Sequence, residues 1–257
     1  MYPRSGPPWQ RWRGRSPFGS FGGSPGQILL ILALIVLFLI VFSGTGDPAR
    51  LLASAQVLAV LFPALILSLS FHEYAHAAIA KGLGDDTAQR QGRLTLNPVA
   101  HMDPLGTVML VITLMIGFGI GWAKPVPVNP WRLRPGPRPG MGLVAIAGPI
   151  ANLLIAFVAI QLFKYAPRGG PEVVFEILQR LAVINVTLAV FNLIPLPPLD
   201  GYRVAVGVLP DPVASAFAQL ERFGPMLLML VVFMGQGILV RVIGFFAGPL
   251  IRAMAGV

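Results

Sequence analysis

The sequence predicts an all-α polytopic membrane protein with about five to six transmembrane helices. Hydrophobic residues make up 55% of the 257 positions and charged residues only 11%, whereas a soluble domain carries about 25% charged residues. The charged residues also stand in short clusters between long apolar runs, and a run of about 20 apolar residues can cross a bilayer as a helix. These observations favour a multi-span membrane protein over a soluble domain.

Residues 1–26 are rich in Gly, Pro, Ser and Arg and have no apolar periodicity, so we expect a disordered basic arm. Its positive region is too long for a cleaved signal peptide, and no clear small-residue cleavage site follows it. The net charge of +9 could suggest a nucleic-acid partner. Because the basic residues flank apolar segments, we interpret them as topology signals and expect no nucleic acid, with the N-terminus cytoplasmic.

Residues 27–257 are predicted to form one integral membrane domain. Apolar runs cover residues 28–42, 51–80 and 141–163, another helix covers residues 172–194, and a last hydrophobic region starts near residue 226. A polar segment with Gly, Asp and Pro turn signals follows residue 80, and a Gly-containing apolar stretch occupies residues 105–121. The absence of cysteine excludes disulfides and thiolate ligands.

The stretch "SLSFHEYAHAAIA", residues 68–80, puts three ionisable side chains at the end of an apolar run. On an α-helix His72 and His76 share one face and can present two imidazoles to one ion. Glu73 lies about 100° round the helix, where it can act on a water beside that ion. Lone histidines in helices are commonly only satisfied polar groups, but ionisable residues in a span cost about 2.5–3.5 kcal/mol each and are kept mainly for function. The spacing therefore predicts a metal site with Glu73 as catalytic base.

A hydrolytic zinc site uses three protein ligands and keeps one position open. The remaining histidine is His101, in "NPVAHMDPLGT", for which we expect turn structure, as we do for Asp103. Asp200, in "FNLIPLPPLDG", follows an apolar helix where prolines interrupt the backbone and Gly201 permits a tight turn. We predict Asp200 as the third ligand of one zinc ion; the alternative is a solvated turn aspartate.

Three segments together resemble the signature motifs of the site-2 protease family, zinc metalloproteases that cut substrate helices within the membrane. These segments are "FHEYAH", "AGPIANL" (residues 147–153) and "FNLIPLPPLDG" (residues 191–201), and "GWAKPVPVNP" is similar to a stretch in many bacterial and archaeal members. The resemblance covers most of residues 51–203, the expected catalytic core, and is to a compact form without a PDZ domain.

The resemblance implies zinc bound by His72, His76 and Asp200, with Glu73 as base. It also implies that Asn192 holds the substrate strand and that Asn152 orients the substrate or the developing oxyanion. For both asparagines the alternative is a hydrogen bond between helices of the bundle, worth about 0.6 kcal/mol.

The metal site constrains the topology. If residues 105–121 crossed the membrane, His76 and Asp200 would lie near opposite faces, and the loop carrying Lys124 and three arginines would be exported against the positive-inside tendency. We therefore predict a small re-entrant or β element between the HExxH helix and the next span. Such backbone is tolerated at membrane depth only when buried in protein or facing a wet cavity.

The function expected from these residues is intramembrane proteolysis of transmembrane substrate proteins, in the plasma membrane of a prokaryote. Two alternatives stay open. A metal-ion transporter could also place His and Asp in spans, although it would normally need several ligand sets along a path. A catalytically silent membrane scaffold could keep the fold without turnover, although a structural zinc site needs no base such as Glu73.

Overall fold

The computed structural model describes residues 48–116, 121–167 and 169–256. The predicted basic arm and the first predicted apolar segment, residues 28–42, lie outside this part of the chain. Within it there is no β-strand, and one isolated antiparallel bridge pairs Met102 with Ala123.

The described helices follow one another in this order: α1 Pro48–Gly82, α2 Thr87–Arg90, α3 Pro98–His101, α4 Pro104–Ile116, α5 Pro137–Tyr165, α6 Glu172–Asn192, α7 Asp200–Val208, α8 Asp211–Ala218, α9 Gly224–Phe233 and α10 Gln236–Ala255. Two short 3-10 helices, Pro130–Arg132 and Gln219–Phe223, precede α5 and α9 respectively. The second predicted apolar segment thus becomes the 35-residue helix α1, about 50 Å long at 1.5 Å per residue.

Four segments of the described chain are long and apolar enough to cross a membrane: α5, α6, Asp211–Phe233 and α10. This confirms the predicted all-α polytopic membrane fold. Large apolar side chains on the outer face of α5, those of Leu154, Val158 and Leu162, are 54–60% exposed. Contiguous exposed apolar surface of this kind is expected where a protein faces lipid.

The chain returns on itself between α3 and α5. The Lys124 N–H donates to the His101 carbonyl at 2.8 Å, beside the Met102–Ala123 bridge, so the segment after α4 comes back to the start of that helix. Gly106 permits this close return, because a Cβ there would lie 2.2 Å from the Trp122 carbonyl oxygen. The chain therefore enters and leaves this element on the same side of the bundle.

Helix α5 lies at the centre of the fold and packs against α1, α6 and α7. Small residues permit close contact: a Cβ on Gly207 of α7 would lie 3.0 Å from the Gly142 Cα of α5. Small residues at such crossings are the usual means by which membrane helices pack. The short helix α7, which begins with Asp200, is thereby held against α5 and, through α5, close to α1.

Candidate metal centre

The two histidines of the HExxH motif lie one turn apart on α1, and both are buried. Their Nε2 atoms are 3.0 Å apart. Helical spacing alone accounts for this approach, because positions i and i+4 share one face. The pair faces the interior of the bundle, where α5 and α7 meet α1.

Asp200 reaches this pair from the first position of α7. A tight turn over residues 193–199 separates it from α6, and a Cβ on Gly201 would lie 2.2 Å from the Leu193 carbonyl oxygen, so glycine is required after the aspartate. The Asp200 Oδ2 atom lies 3.0 Å from His72 Nε2 and 3.2 Å from His76 Nε2. The structure thus brings together the three predicted zinc ligands, and among the described residues this is the one cluster of three or more His, Cys, Asp or Glu side chains that could hold a metal ion.

The hydrogen bonds on the far side of each ring fit a bound cation. His76 Nδ1 lies 2.8 Å from the Val144 carbonyl oxygen, and His72 Nδ1 lies 2.7 Å from Asn152 Oδ1. Both partners are acceptors, so each neutral ring carries its hydrogen on Nδ1 and directs the Nε2 lone pair at the cluster. The buried Asp200 Oδ2 adds a third acceptor and has no hydrogen-bond partner among the described residues. A cation bound between the three convergent lone pairs would remove their mutual repulsion.

The distances also suit zinc. Ligand atoms bound tetrahedrally at about 2.0–2.1 Å are about 3.3 Å apart, close to the 3.0–3.2 Å separations observed. Gly148 of α5 leaves room for the two imidazoles, because a Cβ there would lie 2.5 Å from His76 Nε2 and 2.6 Å from His72 Nε2. The donor set and the spacing of its atoms therefore fit one zinc ion.

Glu73 lies beside the cluster and is held by the returning segment. Its Oε2 accepts a hydrogen bond from the Val126 N–H at 2.9 Å. Val126 stands between Pro125 and Pro127, which have no N–H of their own. The segment that follows the re-entrant element thus positions the carboxylate through its backbone.

Arg93 is a buried cation near this carboxylate. Its side chain lies in the loop after α2, and its Nη1 has no hydrogen-bond partner in the described part of the protein. Burial lowers the pKa of the Arg93 guanidinium, while the nearby charge of Glu73 opposes that shift. Arginine keeps its charge in proteins, so Glu73 has a positive neighbour.

The chain is similar in sequence to several known proteins. The sequence profile described as Peptidase family M50 matches residues 170–232. YwhC of Bacillus subtilis (strain 168) is 42% identical over 167 residues, which cover 62% of this chain and 74% of YwhC. The chain belongs to peptidase family M50. This membership confirms the resemblance to site-2 proteases that the three motifs indicate.

Other relatives share less identity with this chain. Rip2 of Mycobacterium tuberculosis (strain ATCC 25618 / H37Rv) is 32% identical over 192 residues, covering 74% of this chain and 72% of Rip2. MJ0392 of Methanocaldococcus jannaschii is 27% identical over 177 residues, covering 68% of this chain and 40% of MJ0392. The names of YwhC, Rip2 and MJ0392 all contain the words zinc metalloprotease. No solved structure shows a significant match.

The two asparagines of the M50 motifs have different surroundings. Asn152 is fully buried, and both ends of its amide are bound within the protein: Oδ1 by His72, and Nδ2 by Asn185 Oδ1 at 2.8 Å. Asn192 is half-buried at the end of α6, and its Nδ2 donates to the Leu188 carbonyl at 3.0 Å. Asn152 therefore belongs to the surroundings of the metal cluster, and Asn192 does not contact it.

His101 and Asp103 are buried and lie at the base of the re-entrant element. His101 Nε2 donates to the Thr95 carbonyl at 2.8 Å, and Asp103 Oδ1 accepts from the Gly106 N–H at 2.8 Å, at the start of α4. These bonds fix the turns at the base of the element. Neither residue joins the metal cluster.

Sequence reasoning missed Gly148, Val126, Arg93 and Asn185. Gly148 falls inside the "AGPIANL" motif, so its position in that motif is the signal that could have indicated a role. Asn185 is an amide in the apolar middle of α6, which is itself a reason to expect a functional or interhelical role. Val126 acts through its backbone and has no side-chain signal.

Proposed function

We propose that this M50 protein is an intramembrane zinc metalloprotease that hydrolyses peptide bonds of transmembrane substrate helices. The observation that carries the proposal is a buried His72–His76–Asp200 cluster with Glu73 beside it, inside a bundle of apolar helices. A purely structural zinc site uses four protein ligands and needs no base. This cluster has three, and the carboxylate next to it has the geometry of a general base.

His72, His76 and Asp200 would hold the zinc ion, which when bound supplies Lewis acidity toward water and the scissile carbonyl. Glu73 takes a proton from the attacking water and passes it to the leaving amine, a role worth typically about 10²–10⁴-fold in rate. The Val126 N–H holds Oε2 of Glu73, so the second carboxylate oxygen can carry the proton.

A helical substrate must unwind before it reacts, because its carbonyls are engaged in their own hydrogen bonds. We assign Asn192 to holding the unwound segment, as the family resemblance implies. For Asn152, whose amide is bound at both ends, we propose orientation of His72 instead of substrate contact. An unwound substrate could pair with the segment around Val126 as an added β-strand. Such pairing would be limited, because Pro125 and Pro127 have no N–H to donate to a substrate strand.

The topology that we propose keeps residues 81–140 on the cytoplasmic side of a prokaryotic plasma membrane, together with the N-terminus. Residues 81–140 carry seven of the 19 Lys and Arg residues and residues 1–26 carry four more, in agreement with the positive-inside tendency. The water consumed in hydrolysis would then reach the cluster from the cytoplasm. The catalytic core in this proposal is residues 51–203.

The decisive experiment is cleavage of a reporter membrane segment in reconstituted vesicles by the wild-type chain and by Glu73→Gln, with zinc content measured for both. The expected result is cleavage by the wild type only, with equal zinc content. Equal cleavage by both proteins would refute this assignment. Zinc binding without cleavage by the wild type would favour a silent scaffold, and zinc uptake into the vesicles would favour a transporter.

A further inference from the structure

Four buried polar side chains form a continuous chain of hydrogen bonds behind the metal cluster. His72 Nδ1 donates to Asn152 Oδ1 at 2.7 Å, and Asn152 Nδ2 donates to Asn185 Oδ1 at 2.8 Å. Asn185 Nδ2 then donates to Ser68 Oγ at 2.8 Å, and Ser68 Oγ donates to the Ala64 carbonyl at 2.6 Å. His72 is 5% exposed, Ser68 1%, and both asparagines 0%. The chain joins α1, α5 and α6.

The direction of these hydrogen bonds cannot reverse, because the chain ends on groups that only accept. Ser68 uses its hydrogen on the Ala64 carbonyl, so its oxygen is left as an acceptor for Asn185. Asn185 Nδ2 donates also to the Leu181 carbonyl at 2.9 Å, which fixes the same orientation of its amide. A carbonyl oxygen cannot donate. Asn185 Oδ1 must therefore face Asn152 and accept from it.

Different kinds of partner fix the hydrogen on Nδ1 of the two histidines. His76 Nδ1 contacts a backbone carbonyl, that of Val144, which can only accept and so fixes the hydrogen on Nδ1 without help. His72 Nδ1 contacts a side-chain amide, whose NH₂ group could face the ring instead unless other partners hold it; the Asn152 Nδ2 donates to Asn185 Oδ1 at 2.8 Å and, more weakly, to the Ser68 carbonyl at 3.4 Å. Rotation of the amide would put the hydrogen of a neutral His72 ring on Nε2, where it would block the lone pair facing the cluster.

We propose that Asn185 and Ser68 are positioning residues, which hold the Asn152 amide in the orientation that keeps the His72 Nε2 lone pair available to the metal ion. Neither residue touches the cluster itself. Partners behind a metal-bound histidine fix its tautomer and ring orientation, and their loss typically lowers metal affinity about 10–100-fold. The inference rests on the metal site and not on peptide hydrolysis.

The chain offers a matched control for Ser68. Ser70 lies on the same helix, is also 1% exposed, and donates in the same way to the carbonyl four residues back, that of Ile66, at 2.7 Å. Ser70 has no bond to Asn185. Loss of its hydroxyl therefore reproduces the packing change of Ser68→Ala without the change in the polar chain.

The test measures zinc affinity of the full-length purified protein by competition with a chelator of known affinity, for Asn185→Leu, Ser68→Ala, Ser68→Thr and Ser70→Ala. Asn185→Leu should weaken zinc binding about 10–100-fold. Ser68→Ala should weaken zinc binding less, because Asn185 Nδ2 still donates to the Leu181 carbonyl. Ser68→Thr keeps the hydroxyl and should match the wild type, as should Ser70→Ala. The absorption bands of the cobalt-loaded protein should shift in the same order.

An Asn185→Leu protein that melts earlier but binds zinc as the wild type does would show a merely structural role and overturn the proposal. If Asn185→Leu does not fold, the comparison of Ser68→Ala with Ser70→Ala decides: equal zinc affinities would overturn the proposal. A wild-type chain that binds zinc but cleaves no membrane segment would refute the proposed function and leave this result standing.

Discussion

Asp200 Oδ2 lies 3.0 Å from His72 Nε2, although the whole of α4, α5 and α6 separates the two residues in sequence. The contact depends on two long-range features: the re-entrant element, which keeps the chain on one side of the bundle before α5, and the packing of α7 against α5.

Replacement of Asp200 by Asn should remove zinc binding and leave the fold intact. The amide keeps the shape of the side chain but has no negative charge, and zinc sites of this kind need a deprotonated ligand. Zinc content measured by mass spectrometry should fall from about one ion per chain to a small fraction of that value.

Asp211→Asn is the matched control for this change. Asp211 also stands at the start of a short helix, but its side chain is 92% exposed and pairs with Arg138, away from the cluster. This variant should keep its zinc. Full zinc content in the Asp200→Asn protein would contradict the assignment of Asp200 as a ligand.

Replacement of Gly148 by Ala should also abolish zinc binding, for a steric reason. The added Cβ would lie 2.5–2.6 Å from His72 and His76 atoms, closer than real Cβ contacts, so the imidazoles would have to move apart. The measurement is again zinc content, made on protein that elutes as a single species in detergent.

Gly244→Ala in α10 is the control, because a Cβ there meets nothing within 4 Å. Alanine is also the better helix former, so this variant should fold and bind zinc normally. Gly148→Ala with normal zinc binding would show that the space beside the imidazoles is not needed.

Val126→Pro should lower the cleavage rate at unchanged zinc content. Proline removes the N–H that holds Glu73 Oε2 while suiting an extended residue between two prolines. We expect a loss of about 10-fold or more, a part of the typical contribution of a general base. Steady-state cleavage of a reporter segment in vesicles measures it.

Val126→Ala loses the same side chain but keeps the N–H, so its rate should stay close to that of the wild type. Similar losses in both variants would show that the side chain matters and the hydrogen bond does not.

Labelling of single cysteines should reveal the side on which the re-entrant element enters and leaves. The natural sequence contains no cysteine, so each introduced thiol is unique. Gln91→Cys and Arg134→Cys, at exposed positions before and after the element, should react with a membrane-impermeant maleimide from the same side. Pro167→Cys, beyond α5, should react from the opposite side. Labelling of the first two from opposite sides would mean that residues 105–121 cross the membrane.

Much of the site was predictable because its signals are local. The facing imidazoles of His72 and His76 follow from helix periodicity, and the break before Asp200 follows from its prolines and Gly201. The role of Asn152 was less predictable, since an amide in a motif can face a substrate, a ligand ring or another helix. Its partners depend on how α1, α5 and α6 pack.

By itself, the sequence determined the membrane class, the apolar helices, the candidate metal ligands and the expectation of a returning segment, because hydropathy, helical spacing and charge asymmetry act over short stretches of chain. Only the tertiary structure decided which groups support those residues. Three contacts arise where separate helices and loops meet: that of Asn185 with Asn152, that of the Val126 N–H with Glu73, and that of Gly148 with the two imidazoles. Such contacts are set by the packing of the whole bundle.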